Sequence, residues 1–417
     1  MTPGEAGASP ADPAPLPVGL RDVLTTEAGE LRDIEAALRG TFARWGYREV
    51  VTPVLEFADV MDRAQEGGLG PAFRLFDEHG RVLVLRPDLT IPVARLVAAR
   101  LAAHPGPVRV SYVGTAFRPP PAGRAQPAEL RQAGVELVGA EGPAADAEAI
   151  ALLAESLTRA GLDTARIAVG DVWLTGAVMD AAGVPPATQA RMRAAAAARD
   201  LVAWRALAAG HGDAPAVRAL LDELPRLRGG RDVLDRIARD APAAQAECRR
   251  LDDLLDLLER HGVRDRVAID MGVLRDRAYY SGIVVEAYAP GVGAPIAAGG
   301  RYDGLAERFG RPRPAVGFAI ALDELHRALA AAAAAPAGAA RGVVLVGGMD
   351  DEVAAARAAR AAGLAGVAVA GDGDDLAAAD GWRYLARRAG EGYEVVDRID
   401  GTRTTGTTLT EALPSPD

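Results

Sequence analysis

A long helical stretch in the middle of the chain constrains the fold most. Residues from about 170 to 262 alternate polar and apolar positions at helical spacing and carry little strand signal. Short β-rich runs precede this stretch, and further runs follow it at 267–271, 282–288 and 315–321. The pattern predicts an α+β protein in which a helical insertion interrupts a core built on strands.

Composition along the chain suggests where the domains begin and end. Residues 1–16 are rich in proline, alanine and glycine and lack the basic start and apolar run of a signal peptide, which predicts a disordered tail. A core at 17–327 contains the insertion, and residues 328–341 form an Ala/Pro/Gly linker. Strand and helix patterns then predict a small α/β appendage at 342–417 with a frayed C-terminus.

The composition excludes several kinds of chemistry. The 417 residues include no lysine, so all 47 basic residues are arginines, and neither Schiff-base nor P-loop lysine chemistry is available. The single cysteine, Cys248, excludes an internal disulfide and fits a reduced, cytoplasmic setting. The five histidines show no metal-ligand spacing, so no metal site is expected. No cofactor is expected either. A net charge of −10 makes general binding to polyanions unfavourable.

A helix followed directly by a proline-containing strand opens the core. The helix is predicted from five apolar residues at helical spacing: Leu31, Ile34, Leu38, Phe42 and Trp45. Gly46 ends this helix, and a β-rich run follows at 50–55. Because proline cannot donate to a strand ladder, Pro53 predicts an edge strand or a strand that meets a partner there.

Polar residues beside the early strands are candidates for ligand contact. Asp88 and Thr90 follow a β-rich run. Gln132 and Glu136 are four positions apart, so they would share one face of a strand. Structural roles are the alternatives. Asp88 could cap a turn or pair with Arg86, and the other two could belong to a solvated strand face.

Several segments, in this order, resemble the core of class II aminoacyl-tRNA synthetases and specifically the histidyl branch. The helix leading to Pro53 resembles the first class II motif, in which the proline lies at a dimer interface. The other matching segments are 85–90, 116–118, 132–139, 275–280, 299–305 and 315–320. The most specific of them is Gly-Gly-Arg-Tyr-Asp-Gly-Leu at 299–305, where Arg301 and Asp303 are expected to lock a turn. The resemblance implies a mostly antiparallel sheet flanked by helices.

The resemblance also implies a pocket for histidine, which offers an ammonium, a carboxylate and an imidazole group. The residues that it implies are Asp88, Leu89, Thr90, Arg118, Gln132, Glu136, Arg275, Tyr279 and Tyr280. Asp88, Thr90 and Gln132 would hold the ammonium. Glu136 and one of the two tyrosines would contact the imidazole, and the arginines would face the carboxylate.

Three departures from the synthetase pattern fall mainly where ATP would bind. Pro120 replaces the glutamate that holds adenine in the second motif. Glu324 replaces the arginine that contacts the ATP phosphates in the third motif, and an acid there would repel a triphosphate. Ala278 replaces an aspartate in the second histidine segment. The amino-acid side of the site is therefore better preserved than the ATP side.

This pattern resembles that of the regulatory subunits of ATP phosphoribosyltransferase, which implies a histidine sensor without catalytic residues. The implied partners are a short catalytic subunit, L-histidine as effector and a second copy within a hetero-oligomer, without tRNA or membrane. The acidic run at 350–352 argues against an RNA-binding appendage. The alternatives are an active or divergent histidyl-tRNA synthetase, and a paralogue that senses another amino acid or RNA-linked stress.

Overall fold

The computed structural model of the chain describes most of the core and part of the C-terminal region. The described residues are 16–64, 68–120, 126–274, 280–332, 340–347, 365–370, 382–398 and 401–413, with Val353, Ala356, Arg357, Ala359 and Arg360. The chain divides into two compact units, Met1–Asp22 with Asp33–Ala332 and Val23–Arg32 with Ala333–Asp417. Residues 1–15 of the predicted tail at 1–16 and residues 333–339 of the predicted linker at 328–341 lie outside the described residues. The remaining linker residues, 328–332 and 340–341, belong to a helix and a strand.

Strands and helices alternate along the first 332 residues. Before the insertion, they are α1 (Thr25–Arg44), β1 (Arg48–Glu49), β2 (Leu55–Phe57), α2 (Ala58–Ala64), β3 (Arg74–Phe76), β4 (Val82–Leu85), α3 (Thr90–Arg100), β5 (Val108–Phe117), β6 (Glu129–Val138), α4 (Gly142–Arg159) and β7 (Arg166–Asp171). The insertion comprises α5 (Val172–Ala181), α6 (Pro186–Ala197), α7 (Leu201–Ala208), α8 (Pro215–Glu223), β8 (Arg228–Gly229), α9 (Arg231–Asp240) and α10 (Gln245–Arg260). After it come β9 (Val267–Asp270), β10 (Ile283–Tyr288), β11 (Ala297–Arg301), β12 (Ala315–Ala321) and α11 (Leu322–Ala332).

Nine strands of the first unit form one large sheet in the order β1-β5-β6-β12-β11-β10-β7-β9-β8. All neighbouring strands are antiparallel except β1 with β5 and β7 with β9. Helices α4 and α11 pack against the centre of this sheet. A second sheet of three strands, β2-β4-β3, lies beside α2. Strands β5 and β6 are each ten residues long, and β6 passes from half-buried residues at its start to buried residues at its end.

The first helix ends where the sequence predicts, but the strand expected at 50–55 is largely absent. Gly46 has a φ of +80°, a left-handed conformation that favours glycine after a helix. Only the flanking β1 and β2 are strands, and both are at sheet edges. The guanidinium of Arg86 donates hydrogen bonds to the carbonyl oxygens of Thr52 (2.8 Å) and Pro53 (3.3 Å). These carbonyls therefore bond a side chain instead of a neighbouring strand.

The Gly-Gly-Arg-Tyr-Asp-Gly-Leu segment places a buried arginine beneath the sheet. Arg301 is 2% exposed, and its Nη1 donates to Asp303 Oδ1 at 3.0 Å, as the sequence predicts. Its Nε and Nη2 also lie 2.8 and 2.6 Å from Asp146 Oδ1, on α4. Burial lowers the pKa of Arg301, but the carboxylates of Asp146 and Asp303 raise it more, so the guanidinium stays charged.

The second unit contains a five-stranded sheet in the order β14-β13-β15-β16-β17. The strands of this sheet are β13 (Ala340–Gly347), β14 (Ala365–Ala370), β15 (Trp382–Ala389), β16 (Gly392–Asp397) and β17 (Arg403–Gly406), and the short helix α12 (Leu409–Ala412) follows β17. The sequence predicts a frayed C-terminus, whereas a strand and a capped helical turn occupy 403–412. Thr408 and Glu411 form a reciprocal capping box, which satisfies the first amides of this turn.

A helix that crosses a lipid bilayer needs about 20 predominantly apolar residues. Within the described ranges, no helix combines the length and apolar character required to cross a membrane.

Candidate ligand-binding site

A small cavity in the first unit collects most of the residues that the sequence singles out. Six of the nine predicted residues line it: Asp88, Thr90, Arg118, Gln132, Glu136 and Tyr280. They come from the start of α3, the end of β5, strand β6 and the segment before β10. The cavity volume of about 120 Å³ is below the roughly 300–1,000 Å³ of drug-sized pockets, which favours a ligand as small as an amino acid.

Glycines in two adjacent strands make room for the cavity. Gly317 pairs in register with Glu136, and a Cβ at Gly317 would lie only 1.9 Å from Glu136 Oε2. A Cβ at Gly299, on the neighbouring strand, would lie 2.2 Å from the carbonyl oxygen of Gly317. Any larger residue at these two positions would displace the carboxyl group or the backbone. The glycines therefore allow Glu136 to lie flat over the sheet and line the cavity.

Glu136 is the most deeply buried acid of the cavity. Its side chain is 2% exposed, and the hydroxyls of Tyr302 and Tyr112 both donate to it, the latter at 3.4 Å. Burial raises the pKa of Glu136 well above its ordinary range, while the hydroxyls of Thr90 and Tyr112 act in the opposite direction. A carboxyl that retains its proton can donate to an unprotonated ring nitrogen of an imidazole.

The raised pKa of Glu136 predicts a pH-dependent stability. Because the folded chain holds this proton more tightly than the unfolded chain, the free energy of unfolding should fall as pH rises between the unfolded and folded pKa values. Glu136→Gln removes this titration. Its melting temperature should therefore fall less than that of the unaltered chain between about pH 5 and pH 8. Glu307→Gln, at an exposed glutamate, is the control, and an identical pH profile for Glu136→Gln would contradict the prediction.

Asp88 bonds the backbone of a helical turn and also lines the cavity. Its Oδ1 accepts a hydrogen bond from the backbone N–H of Ile91 at 3.1 Å, so it caps the first turn of α3. The same side chain, 4% exposed, lines the cavity. The guanidinium of Arg86 bonds the carbonyl groups of Thr52 and Thr115. Capping fixes the Asp88 side chain beside the cavity, so the structural role supports the proposed ligand role.

Gln132, Arg118 and Tyr280 complete the predicted part of the lining. Gln132 lies on β6 with Glu136, and both side chains line the cavity, as alternation along a strand predicts. Arg118 follows β5, and its Nε donates to the carbonyl oxygen of Pro87 at 2.7 Å, next to Asp88. Tyr280 is half-buried and packs on the hydrophobic core behind the cavity.

Some predicted residues lie elsewhere, and the sequence missed others. The side chain of Leu89 is 2% exposed within the hydrophobic core, and Leu89 does not belong to the cavity lining of the described residues. Arg275 and Tyr279 lie outside the described residues. Tyr302 and Phe318 line the cavity but were not predicted. Tyr302 belongs to the 299–305 segment, so the motif contained the signal but not the direction of the side chain.

The residues at the expected ATP side are engaged in protein contacts. Asp323, beside Glu324 at the start of α11, lies 3.0 Å from both Arg131 Nη1 and Arg21 Nη2. Glu324 accepts a hydrogen bond from Arg327, one turn later. Acids in the first turn of a helix are favoured by its dipole. These contacts give both acids a structural role.

The nine-stranded, mostly antiparallel sheet and the cavity on its central strands define a class II, histidyl-tRNA synthetase-like protein. Residues 19–325 match the family model described as histidyl-tRNA synthetase. The chain is 42% identical over 311 residues to an ATP phosphoribosyltransferase regulatory subunit of Moorella thermoacetica, covering 73% of this chain and 79% of the relative. It is 44% identical over 315 residues to that of Anaeromyxobacter dehalogenans, covering 73% and 88%.

A solved structure extends the similarity to the fold. The crystal structure of an ATP phosphoribosyltransferase regulatory subunit/histidyl-tRNA synthetase from Bacillus halodurans C superimposes with a TM-score of 0.78 at 30% identity. The match covers 89% of this chain and 97% of that one. The chain therefore belongs to the family of ATP phosphoribosyltransferase regulatory subunits. The predicted family and fold class are confirmed.

Proposed function

We propose that this chain is a non-catalytic subunit that regulates the first step of L-histidine biosynthesis and binds L-histidine in the cavity. One observation carries the proposal: Asp88, Gln132 and Glu136 converge on a cavity small enough for one amino acid. The short catalytic subunit of ATP phosphoribosyltransferase would be the partner, and its activity would depend on this chain. The names of the 36–44% identical relatives support that partnership.

The cavity offers groups that complement each part of histidine. The Asp88 carboxylate and the oxygens of Thr90 and Gln132 can accept from the ammonium group. Glu136, with its raised pKa, can keep its proton and donate it to an unprotonated ring nitrogen. Arg118 can bind the carboxylate of the ligand. Tyr280 provides an aromatic wall for the ring.

The absence of catalysis follows from the replacements on the ATP side. A synthetase activates its amino acid by attack of the carboxylate on the α-phosphate of ATP, and positive groups must stabilise the charge that develops. Here Glu324 occupies the position of the family's phosphate-binding arginine, and Pro120 replaces its adenine-binding glutamate. Regulation then requires only that histidine bind two conformations of the complex unequally.

Calorimetric titration of the purified full chain with L-histidine and, separately, with ATP tests this proposal. We expect saturable histidine binding, weaker binding of the other amino acids and no binding of ATP. The matched assay adds the chain to a short catalytic subunit, where phosphoribosyl transfer to ATP should appear and should decrease with added histidine. Histidine-dependent exchange of pyrophosphate into ATP by the chain alone would establish an active synthetase instead.

Exposed apolar residues around the first class II motif predict a homodimer. Seven large hydrophobic side chains there are at least 36% exposed: Val51, Val54, Leu55, Phe57, Leu75, Phe76 and Val82. They belong to β2, β3, β4 and the segment before β2, and a patch of this kind indicates a protein interface. Val51→Asp should halve the mass measured by light scattering. Val202→Asp, at an equally exposed valine in the insertion, is the control and should leave the mass unchanged. A monomeric mass for the unaltered chain would contradict the predicted homodimer.

A further inference from the structure

A second cavity, of about 420 Å³, lies between the insertion and the far end of the large sheet. Strands β7, β9 and β10 contribute Ala168, Asp270 and Tyr288 to its lining, and the insertion contributes Arg199 and Arg228. None of its lining residues belongs to the cavity around Glu136. The two arginines make this cavity chemically distinct from the first.

Arg199 has a backbone conformation that normally favours glycine. Its φ is +58°, and among the described residues it is the single non-glycine with a positive φ. It follows the end of α6, where Asp200 N–H donates to the Ala195 carbonyl at 2.8 Å in the manner of a helix C-terminus. A side chain in this conformation strains the backbone, and such strain is concentrated at functional sites. The local fold therefore does not explain why arginine occupies this position.

The guanidinium of Arg199 lies at the mouth of the cavity. Its Nη2 donates to the hydroxyl of Tyr288 at 2.6 Å and lies 3.3 Å from Glu286 Oε2. The arginine side chain is 64% exposed, whereas that of Glu286 is 7% exposed. The buried carboxylate of Glu286 thus holds the guanidinium in place, and the guanidinium is the part of this ion pair that a ligand can reach.

Arg228 forms a matching pair on the other side. Its Nε lies 2.8 Å from Asp270 Oδ2, and the side chains are 68% and 12% exposed, respectively. Ala168 on β7 pairs with Glu286 on β10 and with Ala268 on β9, so Asp270, two residues after Ala268, shares that face. Adjacent strands are about 4.8 Å apart, so the two arginine–carboxylate pairs lie on either side of Ala168, which lines the cavity between them.

We propose that this cavity binds a small phosphate monoester, with the phosphate between Arg199 and Arg228. A phosphate has three terminal oxygens, enough to accept from two guanidinium groups, whereas a carboxylate is matched by one. Leu201, Pro225 and Val273 supply apolar walls for the body of the ligand. This site shares no lining residue with the histidine site. A failure to bind phosphate would therefore leave the proposed function untouched, and a failure to bind histidine would leave the phosphate site untouched.

Calorimetric titration of the full chain with inorganic phosphate, phenyl phosphate and phenol tests the site. Phenyl phosphate should bind with a Kd of about 1 mM or tighter, more strongly than phosphate, and phenol should not bind. Arg199→Gly relieves the backbone strain but also removes the cation beside the buried Glu286, so a thermal melt accompanies the titration. This variant should bind phenyl phosphate about tenfold more weakly. Arg228→Gln should show a similar loss.

Arg191→Gln, at an exposed arginine on α6, is the matched control and should bind phenyl phosphate like the unaltered chain. Histidine titrations of the same variants should be unchanged. No saturable binding of either phosphate probe, or undiminished binding in Arg199→Gly, would overturn the proposal.

Discussion

Asp88→Asn should weaken L-histidine binding by about 10- to 100-fold and leave the melting temperature nearly unchanged. A hydrogen bond to a charged group contributes about 1.5–3 kcal/mol, and asparagine removes the charge that would face the ammonium of the ligand. The amide oxygen of asparagine can still accept from the Ile91 N–H, so the cap of α3 is retained. Calorimetric titration with histidine, together with a thermal melt, separates these two effects.

The matched control is Asp59→Asn, because the side chain of Asp59 is 79% exposed and lies 3.8 Å from Arg63 on the surface of α2. It should bind histidine like the unaltered chain. A histidine affinity in Asp88→Asn equal to that of the control would mean that Asp88 only caps the helix. The histidine pocket would then need a different ammonium ligand.

Arg301→Met should destabilise the first unit by about 3–5 kcal/mol, the usual effect of removing one partner from a buried ion pair. Asp146, 1% exposed, would lose its closest positive partner, because Arg250 Nη1 lies 3.9 Å away while Arg301 Nη2 lies at 2.6 Å. Urea unfolding measures the change. Tryptophan fluorescence follows mainly the first unit, which contains Trp45, Trp173 and Trp204 of the four tryptophans.

A double variant identifies the cause of this loss. Arg301→Met with Asp146→Leu replaces both charges by apolar side chains and should recover most of the stability. Arg327→Met, whose arginine is 57% exposed, should change the free energy of unfolding by less than about 0.5 kcal/mol. If the double variant were no more stable than Arg301→Met, packing of the arginine stem would explain the loss better than the unpaired carboxylate.

The local sequence predicted those features that depend on neighbouring residues. The predicted run at 315–321 is strand β12, and Gly46 follows the end of α1. Alternation along β6 correctly placed Gln132 and Glu136 on one face. Six of the nine candidate residues surround one cavity, because the family motifs preserve the spacing that brings them together.

The tertiary structure alone decided which distant residues meet. Strand register places Gly317 beneath Glu136, 181 positions earlier in the chain, and folding brings the hydroxyl of Tyr302 to the same carboxylate. The sequence anticipated that Arg301 pairs with Asp303, its near neighbour, but not with Asp146 on another element. Local patterns set the direction of a side chain on its own strand or helix. Which groups then come within hydrogen-bonding distance, and how burial shifts the pKa of Glu136, depend on packing between elements far apart in the chain.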